Sequence, residues 1–329
     1  MMVDEQRLEP KSGSSLGRRD VLALAGAAAT VGLAAGPTLA QAQPAAATAA
    51  TSAPAKPTVV LDRPAKGVLT IGIDRVDAQN RIDIPTFSAI GQAYYQFEHD
   101  DDLKVAVLFG KGPDFSQGLD QASWGAALRI GPFQTPQNFI DPVATAGPER
   151  SKPLIVAVQG HVTRVAHELF LAADIRVAAQ DAIFNQGEVT AASFPGGGAT
   201  VRFVREAGWG NAMRYMLTGE EWRTDDALRM GLVQVVTPPG QQLDRALDMA
   251  KQIAAYAPLG VQALLGSARR SFREGERVAL LSLQPEFGRL SRSEDRQEYF
   301  RAQQEKRSPM YVGREISGED GELRCGCCW

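Results

Sequence analysis

A chain of 329 residues can hold one large domain or two ordinary ones, and 44% apolar with 22% charged residues is the balance of a globular protein with a buried core. A formal net charge of −3 gives no electrostatic case for nucleic acid or an anionic membrane, which would require a clustered basic surface. The three cysteines all lie in the last five residues, CGCCW, so the interior has no thiol to cross-link or misoxidise. That tail lacks a second ligand pair at zinc-site spacing, and residues 315–329 read as a disordered end without a metal site.

At the N-terminus, GRRDVLALAGAAATVGLAAG sets Arg18 and Arg19 before an apolar run of roughly fifteen residues. The run is shorter than the roughly 20 residues of a membrane span. Small residues suited to a signal peptidase follow at Ala40 to Ala42. The segment resembles a bacterial twin-arginine signal peptide, a receptor-read address for exporting folded proteins. Residues 1–42 are therefore expected to be a signal read by the twin-arginine translocase, with a periplasmic or exported product; an uncleaved, cytoplasmic chain is the alternative. Residues 43–57 are rich in Ala, Pro and Thr and read as a disordered linker.

A regular rhythm begins after Pro57. GVLTIGIDR (67–75) is strand-like, and IPTFSAIGQAYYQFEHD carries Phe87, Ile90, Tyr94 and Phe97 at helical spacing behind Pro85. LKVAVLFG (103–110) is a continuous apolar run, as in a strand covered on both faces. The Gly/Pro/Gln-rich stretch 124–151 is expected to be a long surface loop around a short helix. A strand (153–160), a helix (about 165–173), a strand (174–179) and another strand through AIFNQGEV (182–189) follow, then a loop through FPGGGAT. The remainder reads as helical, with Gly C-caps and a Thr N-cap marking its segments. This order gives an α/β domain with one core over 58–314 and a helical C-terminal part.

Most chemical motifs fail on inspection. FPGGGAT lacks the Lys-Ser/Thr of a phosphate loop and reads better as a turn needing positive φ or a close helix–sheet approach. No G-x-S-x-G elbow is present within 58–314. Of the histidines, His99 sits in an acidic surface run, while His161 and His167 lack a third ligand for a metal. Two glutamates remain. Glu168 is set among Val165, Ala166, Leu169 and Leu171, and a carboxylate buried there must find a partner or a task. Glu188 follows twenty residues later, and two carboxylates on one pocket can divide acid and base roles.

The chain from about Lys66 to Arg314 resembles the crotonase (enoyl-CoA hydratase/isomerase) superfamily. The resemblance is carried by IDRVDAQNRID with Asn80, by DLKVAVLFGKGPDFSQGLD with Phe115, Ser116, Gly118 and Asp120, and by KPLIVAVQGHVTRVAHELFLAADIRVAAQDAIFNQGEVTAASFPGGGAT. It extends through GWGNAMRYMLTGEEWRTDDALRMGLVQVV and SEDRQEYFRAQQEKRSPMYVGR. It implies a crotonase-like fold of repeated ββα units, and backbone N–H groups of Leu119 and Val165 as an oxyanion hole for a thioester carbonyl. Glu168 and Glu188 would handle water and the α-carbon proton. Gln117, Gly118, Asp120, Ala78, Gln79, Pro195 and Gly196 would meet substrate. It also implies a homotrimer or hexamer working in fatty acid metabolism on acyl-CoA or a related carbonyl substrate, without metal or other cofactor. Having both glutamates favours hydration over simple isomerisation.

The chain departs from the family where Arg164-Val165-Ala166 replaces a glycine run, with Val165 expected to narrow the approach of substrate, and where Gln117 replaces a small residue. Because an exported protein would meet little CoA, two other readings stay open: a hydrolase or isomerase of a non-CoA carbonyl compound, and a catalytically silent binding protein.

Overall fold

The computed structural model describes residues 57–130 and 133–316; the twin-arginine segment and the cysteine tail lie outside them. A six-stranded sheet organises the domain. Its strands are β1 (Val59–Ala65), β2 (Val68–Ile73), β3 (Val105–Gly110), β4 (Leu154–Val158), β6 (Ile175–Ala179) and β9 (Val235–Thr237), in the spatial order β1-β2-β3-β4-β6-β9. All neighbours run parallel except β1 and β2, which form an antiparallel pair at one edge. A smaller sheet joins β5 (His161–Thr163), β7 (Ile183–Asn185) and β8 (Trp222–Arg223) in the order β5-β7-β8.

Strand alternation sorts the apolar residues into two layers. Leu69, Ile71, Ile73, Ala106, Leu108, Leu154, Val156 and Val158 point to one face. There they pack under α1 (Ile84–His99), α3 (Val165–Leu171) and α4 (Ala199–Ala207), with α2 (Gln121–Ile130), α5 (Trp209–Thr218) and α6 (Thr224–Arg229) around them. Val68, Val105, Val107, Ile155, Ala157 and Val177 point to the other, where Ala246, Ala250 and Ala254 of α7 (Gln242–Ala254) lie flat on the sheet. The fully apolar strands are those buried on both faces, as parallel sheets require. The C-terminal part is helical: α8 (Pro258–Glu274), α9 (Glu276–Leu281), α10 (Leu283–Ser291) and α11 (Glu294–Glu305).

Three expectations need correction. The first strand is a hairpin, since β1 precedes the expected element; four of its seven residues are exposed, so it carries no apolar signal. The strand expected through Glu188 stops at Asn185, and Glu188 opens a 3₁₀ turn, Glu188–Ala191. The short helix expected within 124–151 starts before that stretch, spanning Gln121–Ile130.

Candidate active site

Two turns, one following β3 and one following β5, build one wall of a cavity of about 720 Å³. The first, Phe115–Leu119, lies against β5: Ser116 N–H donates to His161 O (3.0 Å), and Thr163 N–H donates to Ser116 O (3.2 Å). Gly118 takes φ +88°, and a Cβ there would stand 3.1 Å from Thr163 O. Only glycine fits that turn comfortably. Gly118 O accepts from Ile82 N–H (2.8 Å), and Asp120 N–H donates to Ile82 O (2.9 Å), which leaves the intervening Leu119 N–H turned the other way. Asn80 secures the approach, its side-chain amide donating to Lys111 O (2.7 Å) and Asp114 O (2.9 Å).

The second turn starts α3. Arg164 caps the helix at φ 53°, ψ −117°, a conformation of type II′ turns that glycine normally fills. Its own N–H donates to Asn185 O (2.8 Å), and its carbonyl accepts from Glu168 N–H (3.0 Å). Val165 N–H is thereby aimed out of the helix start, while the Val165 side chain joins the core. Among the described residues, neither Leu119 N–H nor Val165 N–H donates to any protein acceptor. Both residues line the cavity, together with Glu168 and Glu188. Val165 does not close the space.

Glu168 is 3% exposed, and its Oε1 accepts from Gly197 N–H (2.7 Å) and Ala199 N–H (3.2 Å) at the start of α4. A Cβ at Gly197 would lie 2.5 Å from Glu168 Oε2, so the glycine-rich loop is glycine here because it closes directly on the carboxylate. At Gly198, φ +99° gives the left-handed conformation that the sequence suggested. Burial pushes the Glu168 carboxyl up to about 7, helped by the charge of Glu188 and opposed by the two N–H donors and Arg202. Burial also raises Glu188, against its hydrogen bonds and the Arg164 charge.

Glu188 is held by a chain of side chains that the sequence did not reveal. Gln186 Nε2 donates to Glu188 Oε1 (2.8 Å), and Gln186 Oε1 accepts from His167 Nδ1 (2.5 Å). His167 is fully buried among Phe170, Phe184, Phe203 and Trp222, and burial lowers it to about 3, so the ring is neutral. A neutral imidazole bonded in this sense carries its proton on Nδ1. Glu188 Oε2 has no hydrogen-bond partner among the described residues.

The other anticipated residues divide. Gly196 lines the same cavity; Pro195 does not. Ala78, Gln117 and Asp120 line a neighbouring polar cleft of about 600 Å³ with Arg81, which shares Leu119, Gln121 and Arg164 with the first cavity. There Gln117 Nε2 donates to Asp114 (3.1 Å) and Asp120 pairs with Arg75 (3.2 Å). Gln79 borders neither space; its carbonyl accepts from Gln117 N–H (3.2 Å). His161 pairs with Asp114 (2.8 Å), and His99 is exposed, bonding to Tyr95 O and stacking on its ring.

The same cavity has an apolar wall. Phe87 from α1, Trp124 from α2, and Phe133, Phe139 and Val143 from the segment after α2 line the cavity. The chemical wall thus offers two free N–H donors and two carboxyls whose affinities for the proton are raised. That set suits enolate chemistry, with charge gathering on a carbonyl oxygen while protons move nearby.

Comparison with known proteins agrees with the geometry. Residues 63–314 match the family model described as enoyl-CoA hydratase/isomerase. An enoyl-CoA hydratase of Mycobacterium tuberculosis is 32% identical over 252 residues, covering 75% of this chain and 93% of that protein. An (E)-benzylidenesuccinyl-CoA hydratase of Thauera aromatica is 31% identical over 255 residues, covering 75% and 96%. The solved structure of a probable enoyl-CoA hydratase/isomerase from Mycobacterium abscessus superposes with a TM-score of 0.76 at 43% identity, covering 78% of this chain and 99% of that one.

Proposed function

The chain belongs to the enoyl-CoA hydratase/isomerase family, and from that premise we propose that it adds water to an α,β-unsaturated acyl-CoA thioester, or removes it in reverse. The observation that carries this reading is the pair of unengaged N–H groups beside two raised carboxyls on one cavity. The thioester oxygen accepts from Leu119 and Val165 N–H. Water held between Glu168 and Glu188 gives a proton to one carboxylate as its oxygen bonds to the β-carbon. The C=C electron pair shifts toward the α-carbon and carbonyl, and the N–H groups hold the enolate oxygen. The other carboxyl, entering protonated, delivers its proton to the α-carbon.

Glu168, held by its two N–H donors, takes the water proton when it is the charged member of the pair. Glu188, with Oε2 unpartnered, supplies the α-proton. The pair titrates as a unit, and the singly protonated form is the working one. Loss of the enoyl-thioester absorbance of crotonyl-CoA and cinnamoyl-CoA tests the reading. Glu188→Gln is expected to lower kcat by about 10²–10⁴; hydration that survives the change at full rate removes Glu188 from the mechanism.

Assembly and location belong to the same proposal. Leu264, Phe272, Leu281 and Phe287 on α8–α10 are each more than 60% exposed, a surface that a homotrimer or hexamer would cover; light scattering that returns a monomer would exclude it. Export through the twin-arginine route rests on Arg18 and Arg19 before the apolar run. Fractionation of cells carrying the native chain or a variant with both arginines changed to lysine tests it. A native chain retained in the cytoplasm would refute export.

A further inference from the structure

The apolar wall of the cavity speaks to the acyl group. Four aromatic rings form a connected cluster there: Phe87 meets Trp124 at 5.4 Å and 86° and Phe133 at 5.6 Å and 87°, Trp124 meets Phe133 at 5.5 Å, and Phe133 meets Phe139 at 6.0 Å. Phe133 and Phe139 are only partly buried, so ring surface is still available to a ligand.

The polar groups of Trp124 and Asp141 on this wall are already engaged. Trp124 Nε1 donates to Ile82 O (2.9 Å). Asp141 Oδ1 accepts from Val143 N–H (3.1 Å), and its Oδ2 accepts from Thr145 N–H (2.7 Å), Thr145 Oγ1 (2.7 Å) and Ala146 N–H (3.2 Å). The Asp141 carboxylate thus folds its own loop and is a poor receptor for a ligand cation. A cavity of about 720 Å³ is also far larger than a short acyl chain fills. It lies within the roughly 300–1,000 Å³ that encloses drug-sized molecules.

We propose that the acyl group bound here is bulky, apolar and ring-bearing, with its ring set edge-to-face against Phe133 and Phe139 and its carbonyl at Leu119 and Val165. The proposal rests on the thioester reading above. A ring gains where a flexible chain does not: an aromatic pair contributes about 0.5–1.5 kcal/mol beyond the area it buries, and a rigid group loses less freedom on binding.

Saturated thioesters, which cannot be hydrated, separate binding from chemistry. Calorimetry of the whole protein with 3-phenylpropanoyl-CoA, straight-chain nonanoyl-CoA of equal carbon count, and butyryl-CoA is expected to rank them in that order. The phenyl compound should bind about 10-fold more tightly than butyryl-CoA. In Phe133→Leu and Phe139→Leu the ratio of phenylpropanoyl to nonanoyl affinity is expected to fall. Because both affinities come from the same variant, a folding defect cannot imitate that change.

Nonanoyl-CoA binding as tightly as the phenyl compound would overturn the ring preference, as would equal binding of the phenyl and butyryl compounds. Binding of none of them would overturn both the proposal and the thioester reading. Tight phenylpropanoyl-CoA binding without hydration of cinnamoyl-CoA or crotonyl-CoA would support the proposal while refuting the hydratase reading.

Discussion

The two walls of the cavity are built by different means. The chemical wall is made of main chain: Leu119 and Val165 N–H are aimed by turns at strand ends, and Glu168 is gripped by the backbone of the Gly197 loop. The apolar wall is made of side chains, rings from three separate segments resting on one another. Arg202 ties the two together, donating to Gly197 O (3.0 Å) on one side and Ala144 O (2.6 Å) on the other. Backbone fixed by hydrogen bonds tolerates almost no displacement, whereas a cluster of rings can shift and repack. Changes to the first wall should therefore act on turnover and changes to the second on selectivity.

The largest expected effect is at Gly197. Alanine there would place its Cβ against the Glu168 carboxylate. A misplacement of about 1 Å can reduce turnover by on the order of 10²-fold, so kcat for Gly197→Ala should fall that far while thioester binding changes little. An unchanged kcat would show that the grip on Glu168 is incidental.

Next is the pH dependence of stability. With Glu168 raised to about 7 in the folded protein, the folded state holds a proton that the unfolded chain has released. Stability therefore declines as pH climbs from about 4.5 through 7, and the cost is fully present above that. Glu168→Gln removes it and still offers Oε1 to Gly197 and Ala199. Relative to the native chain it should gain up to about 3 kcal/mol at pH 8.5 and almost nothing at pH 4. Denaturant titrations at the two pH values check this, and equal shifts at both would contradict it.

On the other wall, Gly91 of α1 leaves room for the Phe139 ring, whose Cε2 would lie 2.1 Å from an added Cβ. Because the ring can swing aside, Gly91→Ala should cost only about 1 kcal/mol of stability. It should raise KM for ring-bearing thioesters severalfold and leave kcat within about twofold. A loss of kcat at constant KM would erase the distinction between the walls. The smallest effect is expected at Arg164: glycine at φ 53°, ψ −117° relieves backbone strain but loosens the unfolded chain. Arg164→Gly should therefore stabilise by no more than about 1 kcal/mol, read as a small rise in Tm.

The same division governs what was legible in the sequence. The sheet showed in its apolar strand runs, and the two glutamates and the N–H positions at Leu119 and Val165 stood in local motifs, because a turn of main chain needs particular residues at fixed spacing. β1 did not show, since its exposed residues and Pro64 conceal an edge strand. Nor did the grip of Gly197 and Ala199 on Glu168, although the glycine run of FPGGGAT marked a close approach to something. The ring wall was the least legible part: Phe133 and Phe139 lie in a segment without periodicity, and their partners Phe87 and Trp124 come from other elements. Gln186 could have been suspected from its place two residues before Glu188; its link to His167 is a contact across nineteen positions that spacing does not announce.

That link makes the imidazole a built-in reporter. His167 is locked as one tautomer inside a cage of four aromatic rings, sealed from solvent and two hydrogen bonds away from Glu188. Since burial lowers the imidazole to about 3 and keeps it neutral above that, movement of its Nδ1–H signal in a titration at higher pH records the charge on the glutamate pair rather than its own.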